Sequence, residues 1–156
     1  MATTTRVREV MTTQVATLRA DQPISEAADL LAAGRYGAMP VVDDSGRLVG
    51  LLRDEDLIVS EARLHVPTVI SFLGATFTLP GAQHRFEDEL KKVAGSRVAD
   101  VMDADPPTIG ADDTVEDLAT AMYERDVSHL PVVDASGALV GIVARGDLVR
   151  FIARTT

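Results

Sequence analysis

The sequence predicts a mixed α/β (α+β) protein made of two tandem copies of one β-α-β-β-α unit. Three observations carry that expectation. YGAMPVVDDSGRLVGLLRDEDLIVS, from Tyr36, and VSHLPVVDASGALVGIVARGDLVRF, from Val127, share one skeleton without a gap: Pro, two Val, Asp, Ser-Gly, Leu-Val-Gly, Asp-Leu. Val10-Met11 and Val101-Met102, Asp21 and Asp112, and Pro40 and Pro131 all keep one separation, 91 positions. Each copy also passes from a helical apolar period into two β-rich runs and back to a helix. The copies span residues 7–63 and 98–154, and a different segment, 64–97, connects them.

Ala2 to Thr5 reads as a disordered start. In RVREVM, Val7, Val10 and Met11 fall at i, i+3 and i+4, one face of a single helical turn. Val98, Val101 and Met102 repeat that face after Ser96, an expected N-cap. Apolar turns this short dock on something else. Val15 to Leu18 is a short β candidate, and Asp21 and Gln22 then turn into Pro23, which a first helical turn tolerates because its missing N–H would be unpaired there. Ile24, Ala27, Ala28, Leu31 and Ala32 make one face of an amphipathic helix ending near Gly34, with Val115, Leu118, Ala119 and Met122 as its counterpart.

Met39 to Val42 and Leu48 to Leu52 are β-rich, as are Leu130 to Val133 and Leu139 to Val143. Asp43-Asp44-Ser45-Gly46 and Asp134-Ala135-Ser136-Gly137 supply turn chemistry, so each pair reads as a hairpin. A last helix is expected over Asp54 to Arg63 and Arg145 to Ala153. A unit of about 55 residues buries its core poorly alone, and two copies packed through their sheets solve that problem. In the connector, Pro67 to Leu73 is compatible with a short helix or a strand, because its proline start and its β-branched residues pull in different directions. His84 to Val93 predicts a helix: Glu87 and Asp88 stand four before Lys91 and Lys92, and Phe86, Leu90 and Val93 make the apolar face.

Composition narrows the function. The 156 residues contain no Cys, which excludes disulfides, thiolate metal sites and a Cys nucleophile. His65, His84 and His129 show no metal-ligand spacing. A net charge of −9 without a Lys/Arg cluster opposes a nucleic-acid surface. The start has no signal-peptide core, and the weakly polar run from Val66 to Pro80 is too short and interrupted to span a bilayer, so the expectation is a cytoplasmic protein off the membrane. There is no nucleophile elbow, P-loop or GxGxxG. Acidic pairs such as Asp43-Asp44 and Asp112-Asp113 sit in expected turns, where solvated turn chemistry outweighs catalysis. The expectation is a protein with no catalytic residues and no metal.

VREVMT, VATL, EAADLL and MPVVDDSGRLVGLLRDEDL, with VADVMD, PPTI, EDLATAM and LPVVDASGALVGIVARGDLV, resemble the motifs of a tandem pair of CBS domains, the module named after cystathionine β-synthase. The resemblance covers most of the chain outside residues 64–97. It implies two units packed as a pseudo-two-fold pair, a homodimer of such pairs, and clefts between units that bind AMP, ADP, ATP or S-adenosylmethionine. No cofactor is required; the adenine nucleotide or S-adenosylmethionine is the ligand.

An adenine needs a flat apolar slot with backbone groups to read its edge. Met39 and Pro40, Leu130 and Pro131, with Thr17 and Thr108 on the first strands, are candidates to line it, and each Pro, lacking an N–H, suits a place where the strand ladder is interrupted. The family motif Gly, apolar, any, Ser/Thr, any, any, Asp becomes Gly50 to Asp56 and Gly141 to Asp147. Asp56 and Asp147 are then the expected acceptors of ribose hydroxyls. They are also ordinary first-turn residues of a helix. The Ser/Thr positions have become Arg53 and Ala144; Ala144 cannot bond a phosphate, whereas Arg53 could do so with two parallel hydrogen bonds. Arg145, Arg35, Ser128 and His129 stand near the expected cleft, and copy one has Gly37-Ala38 where copy two has Ser128-His129, so the two sites are expected to be unequal. The reading that follows is a stand-alone regulatory module that signals to an unidentified protein effector by a change of shape. A non-catalytic scaffold with empty clefts is the alternative.

Overall fold

In the computed structural model, residues 4–57, 69–72, 75–78 and 96–155 are described. A 3-10 turn at Val7–Glu9 precedes α1 (Ile24–Gly34), β1 (Ala38–Val42) and β2 (Leu48–Arg53). A short hairpin, β3 (Val69–Phe72) and β4 (Ala75–Thr78), comes next. Copy two comprises α2 (Val98–Val101), β5 (Ile109–Gly110), α3 (Val115–Arg125), β6 (His129–Val133), β7 (Leu139–Ala144) and α4 (Arg145–Thr155). Of the two options for Pro67 to Leu73, the β-branched residues prevail and Val69–Phe72 is a strand. The helices expected over His84 to Val93 and from Ile58 to Arg63 lie outside the described residues; residues 54–57 are helical.

The leader of each copy crosses to the other copy. The Val7 and Arg8 N–H groups donate to the Asp113 and Ala111 carbonyls at 2.8 and 3.0 Å, while the Val98 and Ala99 N–H groups donate to Gln22 and Ala20, both at 2.9 Å. Val7 is fully buried against Ile109, Leu118, Met122, Leu130, Val132 and Val143 of copy two. Val98 is fully buried against Leu18, Ile24, Ala27, Leu31, Met39 and Val41 of copy one. The apolar turns that had to dock elsewhere therefore complete the opposite core. Thr5, expected to be disordered, is held because its carbonyl accepts the Val115 N–H at 3.0 Å. Ser96 is not the residue that precedes α2: Arg97 is, and the Ser96 carbonyl instead takes the Ile24 N–H at 2.9 Å.

These crossings explain the glycine of each Leu-Val-Gly. Leu51 and Asp103 exchange two hydrogen bonds, both 2.9 Å, and Thr12 and Ile142 exchange two at 2.9 and 3.0 Å. The leader passes so close that a Cβ on Gly141 would stand 2.7 Å from Met11 Sδ and 2.9 Å from the Thr12 carbonyl oxygen. Gly50 meets Met102 and the Asp103 carbonyl in the same way.

β1 and β2 pair antiparallel with Pro40 opposite Leu51, and β6 and β7 do the same with Pro131 opposite Ile142. Gly46 and Gly137 close the two turns at φ of 84° and 86°, a region favourable only to glycine among common residues. Asp43 holds its turn by accepting from the Ser45 hydroxyl at 2.7 Å and the Arg47 N–H at 3.0 Å, contacts that keep its carboxyl below the usual range. The turns also meet each other: the Leu48 N–H donates to Gly137 O at 3.1 Å and the Leu139 N–H to Gly46 O at 3.0 Å.

The first strand of the unit is shorter than expected. Val15 to Leu18 forms a single parallel bridge, Leu18 to Val41, and its counterpart is the two-residue β5 against β6. The prolines account for this. Leu18 N–H donates to Pro40 O at 2.8 Å and Val42 N–H to Leu18 O at 2.9 Å, so the next rung would need an N–H from Pro40. Proline has none, and the ladder stops there. Pro131 imposes the same stop on β5, and in copy one the chain before the short strand, residues 14–16, is released toward copy two.

Candidate functional site

A cavity of about 250 Å³ opens between the copies. One wall is the released chain of copy one, Thr12 and Gln14 to Ala16, together with Arg35 to Ala38, which links α1 to β1. Facing it are His129, Ile142, Ala144 and Asp147 of copy two. The helix start fixes Asp147: its Oδ2 accepts the Ala144 N–H at 2.8 Å, its other oxygen meets Arg150, and its side chain is 13% exposed. Across the cavity, Arg35 ends α1 in the left-handed region at φ 53°, an uncommon setting for a residue with a Cβ.

His129 stands at the junction of the copies. Its Nδ1 lies 2.9 Å from the Ser128 hydroxyl. Burial is the main influence on the ring and lowers its pKa; Arg53 acts in the same direction, and Asp54, Asp147 and Glu55 oppose. The imidazole is therefore biased toward the neutral form, able to donate one hydrogen bond and accept another.

Of the residues singled out in the sequence, Arg35, Gly37, Ala38, His129, Ala144 and Asp147 come together around this cavity. Thr17 and Thr108 do not. Neighbours on an extended chain face opposite ways, and because Leu18 and Ile109 point into the cores, Thr17 and Thr108 are turned to the surface. Thr108 lines a separate depression of about 640 Å³ with Arg8 and Asp112. Met39 and Leu130 belong to the two cores, and Pro40 and Pro131 are buried; none of the four lines this cavity, and the two prolines shape it by ending the ladder.

Arg53 and Arg145 are already paired. The Arg53 guanidinium, 16% exposed, lies 3.7 Å from the Asp103 carboxylate and 4.0 Å from Glu55. Arg145 reaches Asp126 at 3.3 Å. Asp56 accepts the Arg53 N–H at 3.0 Å, the same start-of-helix contact that Asp147 makes. The readings of these aspartates as helix-start residues and as cavity residues are thus compatible in Asp147. Thr12, Gln14 and Ile142 were not legible as site residues, because the signal for them is the crossing of the leader, which no local period reveals.

Two closely similar units, each borrowing the other's leader and together enclosing a polar-rimmed cavity, define a paired-repeat module. The chain belongs to the CBS domain family, whose family model matches residues 7–62 and 98–154. It is 33% identical over 142 residues to the CBS domain-containing protein YhcV of Bacillus subtilis, covering 91% of this chain and 81% of that protein. It is also 33% identical over 131 residues to the chloroplastic CBS domain-containing protein CBSX1 of Arabidopsis thaliana, covering 81% of this chain and 54% of that protein. The chain thus spans about half the length of CBSX1. Among solved structures, CBSX2 in complex with AMP is similar with a TM-score of 0.75 and 27% identity, covering 97% of this chain and 98% of that one. The CBS domain pair of MJ0100, solved with 5-methylthioadenosine and S-adenosylmethionine, shares the fold with a TM-score of 0.73 at 22% identity, covering 99% of this chain and 100% of that one. Among the described residues, no helix is long and apolar enough to cross a membrane.

Proposed function

We propose that this protein is a regulatory module, without catalysis of its own, that binds an adenosine-containing ligand between its two CBS units and passes the occupied state to a partner. The observation that carries the reading is the cavity between the copies, with the Asp147 carboxylate on one wall and the Gly37-Ala38 backbone on the other. An ionised carboxylate accepts from ribose hydroxyls, and backbone N–H and C=O groups read an adenine edge. The AMP complex of CBSX2 supports AMP as the first ligand to try.

Signalling requires that the ligand favour one arrangement of the units over another. The cavity walls come from different copies, so a wedged ligand has a differential grip on their relative angle. A homodimer, a protein effector and a cytoplasmic setting complete the reading.

A thermal-shift screen with AMP, ADP, ATP, S-adenosylmethionine and adenosine tests it. A ligand at 100-fold over its Kd adds about 2.7 kcal/mol to the stability of the folded state. A rise in Tm with an adenosine compound, lost in Asp147→Ala, is the expected result. A flat screen at millimolar concentration points instead to a scaffold whose partner, not its ligand, is the object to find.

A further inference from the structure

The two sides of the pseudo-two-fold axis share a backbone but not a charge. The Thr12–Ile142 pair of hydrogen bonds has its counterpart in Asp103–Leu51, and the left-handed Arg35 at φ 53° has its counterpart in Asp126 at φ 49°. Thr12, Gln14 and Arg35 line the first cleft, and the equivalent positions on the other side of the axis, taken as the second cleft, are Asp103, Asp105 and Asp126. Three carboxylates replace two neutral side chains and one cation.

The cations near the second cleft do not offset this for an incoming anion. Arg53 is held at 3.7 Å from Asp103, and Arg145 at 3.3 Å from Asp126. A phosphate entering there would have to displace a carboxylate from Arg53 and remain beside the others. Asp126 at 97% exposure and Asp103 at 37% stand at the open mouth of that side, so their repulsion of an incoming phosphate is felt at entry and is strongest at low ionic strength. In the first cleft the same phosphate would meet Arg35 and a histidine able to donate.

We propose that the chain binds one phosphate-bearing nucleotide, in the cleft of Arg35 and Asp147, and that Asp103, Asp105 and Asp126 close the second cleft to phosphate. The proposal rests on the reading that an adenosine ligand binds between the units, and adds which cleft takes it and what excludes it from the other.

Isothermal titration with AMP, and with adenosine as the uncharged probe, tests it. The expected stoichiometry for AMP is one per chain, and Arg35→Asp is expected to weaken it at least tenfold. The combined substitution Asp103→Thr, Asp105→Gln and Asp126→Arg, which gives the second cleft the side chains of the first, is expected to raise the stoichiometry to two. Two AMP per wild-type chain, an affinity unmoved by Arg35→Asp, or a folded triple variant that still binds one would each overturn the proposal. Should the triple variant fail to fold, the wild-type stoichiometry and Arg35→Asp still decide it. Adenosine bound without AMP overturns the charge assignment and leaves the reading of the module standing; binding of neither overturns both.

Discussion

The imidazole of His129 occupies the space that a side chain at Gly37 would need: a Cβ there would stand 2.7 Å from its Cε1 and 3.0 Å from its Nε2. The two residues occupy near-equivalent places in the copies, so a large side chain in one is accommodated by the absence of one in the other. Gly37→Ala should lower stability by about 1 kcal/mol, toward the low end for overpacking because the atoms it meets are the far end of a side chain rather than backbone. In a His129→Ala background the same change should cost nearly nothing, and a double-mutant cycle from urea unfolding measures the difference.

The protonation of His129 gives an acid limb to stability. Burial lowers its pKa below the usual 6.5, so near neutral pH and below the unfolded chain binds more protons than the folded one. The contribution is complete above about 6.5 and is lost as pH falls through the lower, folded-state pKa. The urea midpoint should therefore drop over that window, with Asp54, Glu55 and Asp147 softening the drop and Arg53 deepening it. His129→Gln should flatten this part of the profile. An unchanged profile would refute the assignment.

Val7→Ala should weaken the copy to which Val7 does not belong in sequence. The residue is 0% exposed in the core of copy two, and removing two buried methyl groups costs about 2 kcal/mol there. Native-state hydrogen exchange is expected to lose protection first in β6 and α3, before α1. Val98→Ala should give the mirror result.

Asp147 joins two roles that separate substitutions can divide. Because its carboxylate accepts the Ala144 N–H at 2.8 Å, Asp147→Ala should cost about 1 kcal/mol without any ligand present, comparable to losing a helix cap. Asp147→Asn keeps an acceptor oxygen and should recover most of that loss while leaving ligand affinity reduced. Tm measured with and without AMP for both variants checks the division.

Much of the fold was legible because its signals are local. Apolar spacing placed Ile24–Gly34 and Val115–Arg125, and turn chemistry placed both hairpins. Two things escaped. Val15 to Leu18 looked like a strand, but strand length depends on a neighbour's N–H groups, and Pro40 removes the one that mattered. The leader looked like a turn in search of a partner; that the partner was the other copy depends on contacts as far apart as Val7 and Asp113, beyond the reach of any local period. For the same reason Gly37, Ala38, His129, Ala144 and Asp147 were found as site candidates by motif, while Thr12 and Gln14 were found only in three dimensions.

The exchange of leaders bears on how such a repeat could have arisen. A single copy made alone would carry a leader with no groove of its own and a groove with no leader of its own. Two such halves satisfy each other without any new contact, in the manner of a domain-swapped pair. Joining them in one chain leaves every contact in place and replaces an encounter between molecules with a tethered one. It also frees the halves to diverge, since a gene for two linked copies no longer has to make both clefts alike.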